Sequence, residues 1–402
     1  MQPSHIHWTE AGQACSALWR SERGAAPPKR VVLADDTTTA DDAYHLACEG
    51  TALLWRGDFQ NARQLLQALA RRIDKTPQRK QRAAKGAALH KPPASAAEGF
   101  NLHRQAQSQR ARVLAMVLLP FNADYSIPLR RAPDARQACT EAWGPVVAAD
   151  GACVATLRDL LGMTSAHEWR KKGVEIPALG AAPNNRIHPH YGVFSPVRGE
   201  YVDLVATTPL PVLLPAALAL GATLVAFDIG TGTGVLSAVL ARRDVATVVA
   251  TDQDPRALAC ARANLDQLGV AAQVTLLQAN LFPEGLASLV VCNPPWLPAR
   301  PSSPIEYAVY DENSQMLLGF LNGLVAHLAP GGEGWLILSD LAEHLGLRSR
   351  EELLAAFAAA GLQVLGRHDA KPLHPKATEG TDALHAARAA EVTSLWRLGA
   401  LH

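Results

Sequence analysis

The sequence predicts an α/β chain in two parts: a C-terminal half built on a doubly wound, mostly parallel sheet, and a separate, mainly helical N-terminal half. Three observations carry this. At 402 residues the chain exceeds the roughly 100 to 200 residues of an ordinary single domain. From Thr223 onward, short apolar runs alternate with stretches of helical periodicity, the signature of strand–helix–strand units. The first of these runs passes into its helix through a turn bearing Gly230, Gly232 and Gly234.

In the N-terminal half, Leu65, Leu66, Leu69 and Ile73 recur at spacings of three and four, which predicts a helix with one apolar face within residues 50–73. Residues 77–99 hold almost no large apolar side chain and include Pro92-Pro93. Such a stretch buries too little surface to offset its chain entropy, and a flexible basic loop is predicted. The apolar run 113–119 follows, then a Pro-rich, mixed stretch, 120–189, without assignable periodicity. The boundary is placed at 180, giving an N-terminal domain 1–180 with substrate recognition as its expected role and a second domain 181–402.

In that second domain, residues 224–228 have the length and composition of a strand and 235–243 read as the helix after the glycine turn. A second strand covers 246–251. Asp254-Pro255 opens a helix through Leu268, with Asp as cap and Pro at the first helical position. Residues 274–278 and 289–292 read as further strands, the latter stopping at Asn293-Pro294-Pro295-Trp296. A helix from about Gln315 to Leu328 ends at Pro330-Gly331-Gly332, and 335–339 supplies another strand. A sheet of this kind binds its ligand at the carboxyl ends of its strands.

Hydrophobic residues make up 48% and charged residues 19%, with 38 Lys plus Arg against 37 Asp plus Glu, which excludes a disordered or polycationic chain. No apolar run approaches the roughly 20 residues of a membrane-spanning helix, and the start lacks a secretory profile, so no membrane partner and a cytoplasmic location are expected. No two of the six cysteines stand at C-x-x-C spacing. Neither a zinc cluster nor a disulfide framework is expected, no metal is assigned, and the cysteines read as small buried hydrophobes.

Charge is unevenly spread. Between Arg71 and Arg112 eleven basic residues face two acids, a local charge of +9 in a chain whose net charge is +1. A phosphate backbone is the candidate partner of such a tract, and a merely solvated segment is the other reading.

Asp252, at the tip of the second strand, lies 20 residues beyond Gly232. Glycines at that turn let a ligand approach the backbone, and an acid at that strand tip can accept both hydroxyls of a ribose. A dinucleotide site would seat a pyrophosphate with G-x-G-x-x-G, whereas this turn reads G-x-G-x-G after Asp228. An acid and a bare backbone loop suit a cationic ligand bearing an ammonium group, such as S-adenosylmethionine.

These residues resemble the class I S-adenosylmethionine-dependent methyltransferases, and among them the small-domain group with an Asn-Pro-Pro-aromatic motif, over residues 191–345. The resemblance implies a Rossmann-like domain and S-adenosylmethionine as cofactor. Asp228, Gly230, Gly232 and Gly234 resemble its methionine-binding loop and Asp252 its ribose acid. Asn280 stands where the family often has an Asp that meets the adenine amino group, and Asn can accept that bond through its carbonyl. Phe194 resembles a residue that covers the cofactor, with a core aromatic as the other reading.

An amide or ring amine is a poor nucleophile because its lone pair is delocalised. The Asn293 oxygen and the Pro294 carbonyl can take its two N–H protons and stabilise the charge that develops on nitrogen. Pro294 and Pro295 lock the local dihedrals, and Trp296 is expected to stack on a flat substrate. No base is needed, so His344, His368, His374 and His385 are read as surface or structural residues, and Asp311 and Glu312 as a solvated helix start.

The leading function is N-methylation of an exocyclic adenine or guanine amine in ribosomal or transfer RNA. The alternative is N5-methylation of a protein glutamine, as in a release factor, because both acceptors present a planar NH2. A non-catalytic cofactor- or RNA-binding module is the reading from another class, and the intact motif argues against it.

Overall fold

The computed structural model describes residues 4–83, 93–212, 221, 223–301, 304–372 and 384–401. The chain forms two units, Met1–Glu168 and Trp169–His402.

The first unit contains β1 (His5–Glu10), β2 (Gln13–Trp19), β3 (Arg30–Ala34), α1 (Ala40–Cys48), β4 (Thr51–Trp55), α2 (Phe59–Ala83), α3 (Ala96–Leu114), β5 (Val117–Phe121), α4 (Arg136–Trp143), β6 (Cys153–Thr156) and the start of α5 (Leu157–Lys172). The expectation of a mainly helical half is corrected here, because at its centre stands a six-stranded sheet in the order β1-β2-β6-β5-β4-β3. Ile6, Trp19, Ala52, Leu54, Leu118 and Val154, from five of its strands, form one buried cluster. Every residue of β4 is buried, so it lacks the alternation that marks a half-buried strand, and α2 follows within four residues. That strand therefore reads as the first turn of the helix behind it.

The loop expected over 77–99 is likewise corrected at both ends. The helix α2 passes Pro77 and runs to Ala83, on Gln, Arg, Lys and Ala whose sequence favours helix without an apolar pattern. At the other end α3 begins at Ala96, where Ser95 accepts from the Glu98 N–H at 3.1 Å. Residues 84–92 of that segment lie outside the described residues. Within the described part of the basic tract, Arg72 Nε donates to Asp41 at 2.9 Å, and Arg110 grips Asp74 at 2.9 and 3.2 Å.

Asp58 joins α2 to the loop before α4. Its buried carboxylate accepts from Gln60 N–H at 2.8 Å, from Arg130 Nε at 3.0 Å and from Arg131 Nε at 2.6 Å. The Arg131 bond above all lowers its pKa to about 2, the Gln60 and Arg130 bonds acting in the same direction against burial. A carboxylate depressed in the folded state contributes stability above its unfolded pKa of about 3.9 and loses it as pH falls through the folded value. The melting temperature of the parent is therefore expected to fall more steeply than that of Asp58→Asn between about pH 4 and 2. Parallel pH profiles for the two proteins would show that Asp58 carries no such linkage.

The second unit opens with β7 (Val174–Glu175), β8 (Arg186–Ile187) and α6 (Glu200–Thr207). Then follow β9 (Val225–Ile229), α7 (Val235–Arg242), β10 (Thr247–Asp252), α8 (Pro255–Gln267), β11 (Val274–Gln278), β12 (Ala287–Cys292), α9 (Gln315–His327) and β13 (Leu328–Ser339). It closes with α10 (Leu341–His344), α11 (Arg350–Ala359), β14 (Leu362–Ala370), α12 (His385–Ala390) and β15 (Thr393–Ala400). Seven strands pair in the order β11-β10-β9-β12-β13-β15-β14. The first five are parallel, and β15 runs antiparallel to both β13 and β14.

Successive residues of β9, β12 and β13 point into two different cores: Ala226, Val291 and Ile337 on one side, Phe227, Val290 and Leu336 on the other. Burial on both faces is what the continuous apolar runs encode, and each fully buried Leu, Ile or Phe contributes about 1.5 to 3 kcal/mol. Asp254 caps α8 by accepting from the Arg256 N–H at 2.9 Å, with Pro255 first in the helix, as its sequence predicts.

Cys139, Cys153, Cys260 and Cys292 are buried, whereas Cys15 is half-buried and Cys48 exposed, so the last two depart from the expected burial. Burial raises the Cys260 thiol pKa to about 11. Among the described residues no helix is long and apolar enough to cross a membrane.

Candidate active site

Sheet register sets the site. Central strand β9 pairs Ile229 with Thr251 of β10 on one side and with Cys292 of β12 on the other. The next residues along are Gly230, Asp252 and Asn293, so three predicted positions leave one row of the sheet side by side. Two strand spacings, about 10 Å, separate the outer two. The row lies where strand order reverses, β10 and β11 being added on one side of β9 and β12 on the other, which is the crevice that doubly wound sheets use for ligands.

Asp228 braces the glycine turn from within. It is 1% exposed, and its Oδ2 accepts from Thr231 Oγ1 at 2.7 Å, Ser237 Oγ at 2.6 Å and Ser237 N–H at 3.1 Å. Burial raises its pKa, and the Ser237 and Thr231 bonds offset part of that rise. The N–H groups of Gly230 and Thr231 both reach the Thr251 carbonyl at 2.9 Å.

Gly230, Gly232 and Gly234 have φ of +74°, +56° and +79°, the left-handed region that favours glycine. A Cβ on Gly230 would stand 2.6 Å from Met316 Cε, and one on Gly234 3.1 Å from Ala261 Cβ. On Gly232 it would meet nothing within 4 Å. The cradle is thus walled at its two ends and open at its middle, where a ligand can lie on the backbone.

Beside that opening, Asp252 accepts from Gly232 N–H through Oδ2 at 3.0 Å and from Asp254 N–H through Oδ1 at 2.9 Å. Each oxygen keeps acceptor capacity, which suits a vicinal diol such as the ribose of S-adenosylmethionine. Burial raises the Asp252 pKa against the pull of these backbone bonds. The segment beyond β11 is tied to the same edge, since Ala279 N–H donates to the Asp252 carbonyl at 3.2 Å and Thr251 Oγ1 to that of Leu281 at 2.5 Å. These bonds bring the exposed Asn280 to the rim. Phe194 is half-buried, and its neighbour Val193 packs on Ala257 and Cys260 of α8. The donor set and the open glycine cradle fit S-adenosylmethionine.

After β12, Pro294 is buried and Asn293, Pro295 and Trp296 are half-buried. The Trp296 Nε1–H donates to Asn293 Oδ1 at 2.9 Å, which leaves that oxygen one further acceptor position. Trp296, expected to stack on a flat substrate, keeps part of its surface exposed. Its ring packs against both cores of the second unit, and the Arg198 guanidinium carbon stands over it at 5.2 Å from the centroid. Burial opposes the charge on Arg198, but Glu391 and then Glu200 more than offset it, and its pKa is raised.

The reading of Asp311 is corrected. It is buried, and caps α9 by accepting from the N–H groups of Met316 at 3.0 Å and Leu317 at 3.1 Å, while Glu312 is exposed. Its own N–H donates to the Leu297 carbonyl at 2.9 Å, so the chain leaving the motif is fastened to the helix whose Met316 walls Gly230. His344 lies 3.4 Å from Asp340, and His374 lies outside the described residues.

Sequence reasoning passed over Thr231, Ser237, Arg198, Glu391 and Met316. The threonine in the Gly-Thr-Gly-Thr-Gly turn was a readable signal. Nothing in local pattern marks Arg198 or Glu391, which reach the site from distant parts of the chain.

Residues 184–357 match the family described as methyltransferase small domain. The chain is 36% identical over 146 residues to a ribosomal protein L11 methyltransferase of Pelotomaculum thermopropionicum, covering 36% of this chain and 39% of that protein. It is 34% identical over 153 residues to a release factor glutamine methyltransferase of Moorella thermoacetica, with 33% and 54% covered. It is 31% identical over 124 residues to a tRNA1(Val) (adenine(37)-N6)-methyltransferase of Shewanella loihica, with 28% and 51% covered. The chain thus spans between 39% and 54% of the length of these relatives.

Proposed function

We propose that the C-terminal unit, whose residues 184–357 match the methyltransferase small domain family, is an S-adenosylmethionine-dependent N-methyltransferase whose acceptor is a planar NH2 group, an exocyclic amine of adenine or guanine in RNA. The observation that carries this reading is the single register row that ends in Gly230, Asp252 and Asn293. S-Adenosylmethionine supplies, when bound, an electrophilic methyl group on a sulfonium. Asp252, fixed by Gly232 and Asp254, holds the ribose hydroxyls, and the open backbone at Gly232 admits the ligand. On the acceptor side, the free acceptor position of Asn293 Oδ1 and the Pro294 carbonyl take the two N–H protons. They orient the nitrogen and offset the positive charge it gains, and its surplus proton passes to solvent afterwards.

RNA as acceptor is favoured by the basic tract, and the N-terminal unit is assigned to its capture. If so, changing Arg79, Lys80 and Arg82 of α2 to Gln should flatten the slope of log affinity against log salt by up to about 2 to 3, since each phosphate no longer neutralised takes away roughly 0.7 to 0.9. An unchanged slope would remove the tract from the interface.

The second reading, N5-methylation of a protein glutamine, is favoured by the relative named a release factor glutamine methyltransferase. Labelled S-adenosylmethionine offered with separate RNA and protein pools distinguishes the two. Label in purine nucleosides is expected, and label confined to protein glutamine would transfer the assignment to the second reading.

A further inference from the structure

We infer that Arg198 is a positioning residue for Asn293 and acts on it through the ring of Trp296. Its effect on turnover rests on the N-methyl transfer reading, whereas its effect on the indole rests on geometry alone.

The anchor of this arrangement is a pair of buried carboxylates. Arg198 Nε donates to Glu200 Oε1 at 2.9 Å, and its Nη2 lies 3.1 Å from Glu391 Oε1. The two acids are only 7% and 4% exposed. Glu391 is itself fixed, since the Ser339 hydroxyl donates to Oε1 at 2.7 Å, and the following Val392 exchanges bonds with Asp340 at 2.7 and 3.0 Å. Ser339 ends β13, the strand next to β12, so the anchor is built into the same carboxyl edge of the sheet as the motif it serves.

With its nitrogens tied to two acids, the guanidinium holds its central carbon over the Trp296 ring, 5.2 Å from the centroid. The ring so held donates its Nε1–H to Asn293 Oδ1 at 2.9 Å. That bond has a chemical consequence, because a primary amide can flip and exchange its oxygen for an NH2 group. An indole N–H is a donor only, so it accepts the flip state with oxygen toward it and rejects the other. Of the two ends of the amide, only that oxygen can accept an N–H proton of the substrate nitrogen and orient it alongside the Pro294 carbonyl. A ring free to tilt would release the amide, leaving a donor to face the N–H groups of the substrate for part of the time.

The discriminating variant is Arg198→Lys, which keeps a cation for the two carboxylates but loses the planar face and the two-edged pairing. Its kcat should fall about 10- to 100-fold with affinity for S-adenosylmethionine preserved. The readout that a merely structural role would not move is the indole N–H resonance of Trp296. It is one of eight such groups in the chain and is identified by its disappearance in Trp296→Phe. In Arg198→Lys this resonance should shift and exchange faster with solvent while the other indole signals stay in place. In a Trp296→Phe background, Arg198→Lys should cost no further turnover, since the relay is already cut.

An unmoved Trp296 signal in Arg198→Lys, or losses of turnover that multiply in the double variant, would overturn the proposal. Should Arg198→Lys not fold, Glu391→Gln releases one anchor while retaining an acceptor for Ser339, and the same indole signal decides. If the parent methylates neither the RNA nor the protein pool, the N-methyl transfer reading fails, and the indole signal still decides the relay.

Discussion

Asn293→Ala should bind S-adenosylmethionine as the parent does and lose about 100-fold or more in kcat, the effect of deleting one preorganised contact to the charge that develops in a transition state. Asn293 stands one residue past the Cys292–Ile229 pair, on the opposite side of β9 from Asp252, so it is placed to touch the acceptor and not the ribose. The substitution also strands the Trp296 N–H that Asn293 receives, which adds disorder to the loss of the acceptor. Asn293→Asp keeps an oxygen for both partners and should retain more turnover than the Ala variant. Single-turnover rates with the RNA pool, alongside calorimetry with the cofactor, test this. A variant that turns over within a few-fold of the parent, or one that no longer binds cofactor, would remove Asn293 from the role assigned to it.

Asp252→Ala should show the opposite pattern, with cofactor affinity falling first. Charge-assisted hydrogen bonds of roughly 1.5 to 3 kcal/mol disappear with the carboxylate, weakening binding by about 10- to 150-fold. The loss includes the seat of the turn, because the same carboxylate receives the N–H groups of Gly232 and Asp254. Asp252→Asn, which retains one acceptor oxygen, should fall between parent and Ala in calorimetry. Parental affinity in the Ala variant would detach the ribose from this residue.

The part of the sheet around the glycine turn was legible because its signals are local. Residues 224–227 are apolar in succession, the glycines begin three residues later at Gly230, and the acid stands one strand further on. The first unit hid its sheet for the converse reason. Its strand β4 is buried on both faces and abuts a helix, so period-two patterning was absent, and β1 offers only Ile6 and Trp8 on its inward face before Glu10 ends the alternation. Asn293 and Asp252 were expected from spacing, and the register sets each one residue past a partner of Ile229. The surroundings of Trp296 could not be read in that way, because Arg198 and Glu391 lie 98 residues before and 95 residues after it, and only the folded sheet brings them together.

The shared register row also sets which sequence changes the site can survive. Because β9 and β12 are buried on both faces, slipping their pairing by one residue would turn every apolar side chain to the wrong face, so the position of Asn293 is guarded by the hydrophobic cost of misalignment. Removing one residue within Ala287–Cys292 would draw Asn293 back by about 3.3 Å and invert it. Length changes within residues 298–308 leave that row untouched. Insertions and deletions therefore have room between the motif and α9, and almost none inside the strand that carries the motif.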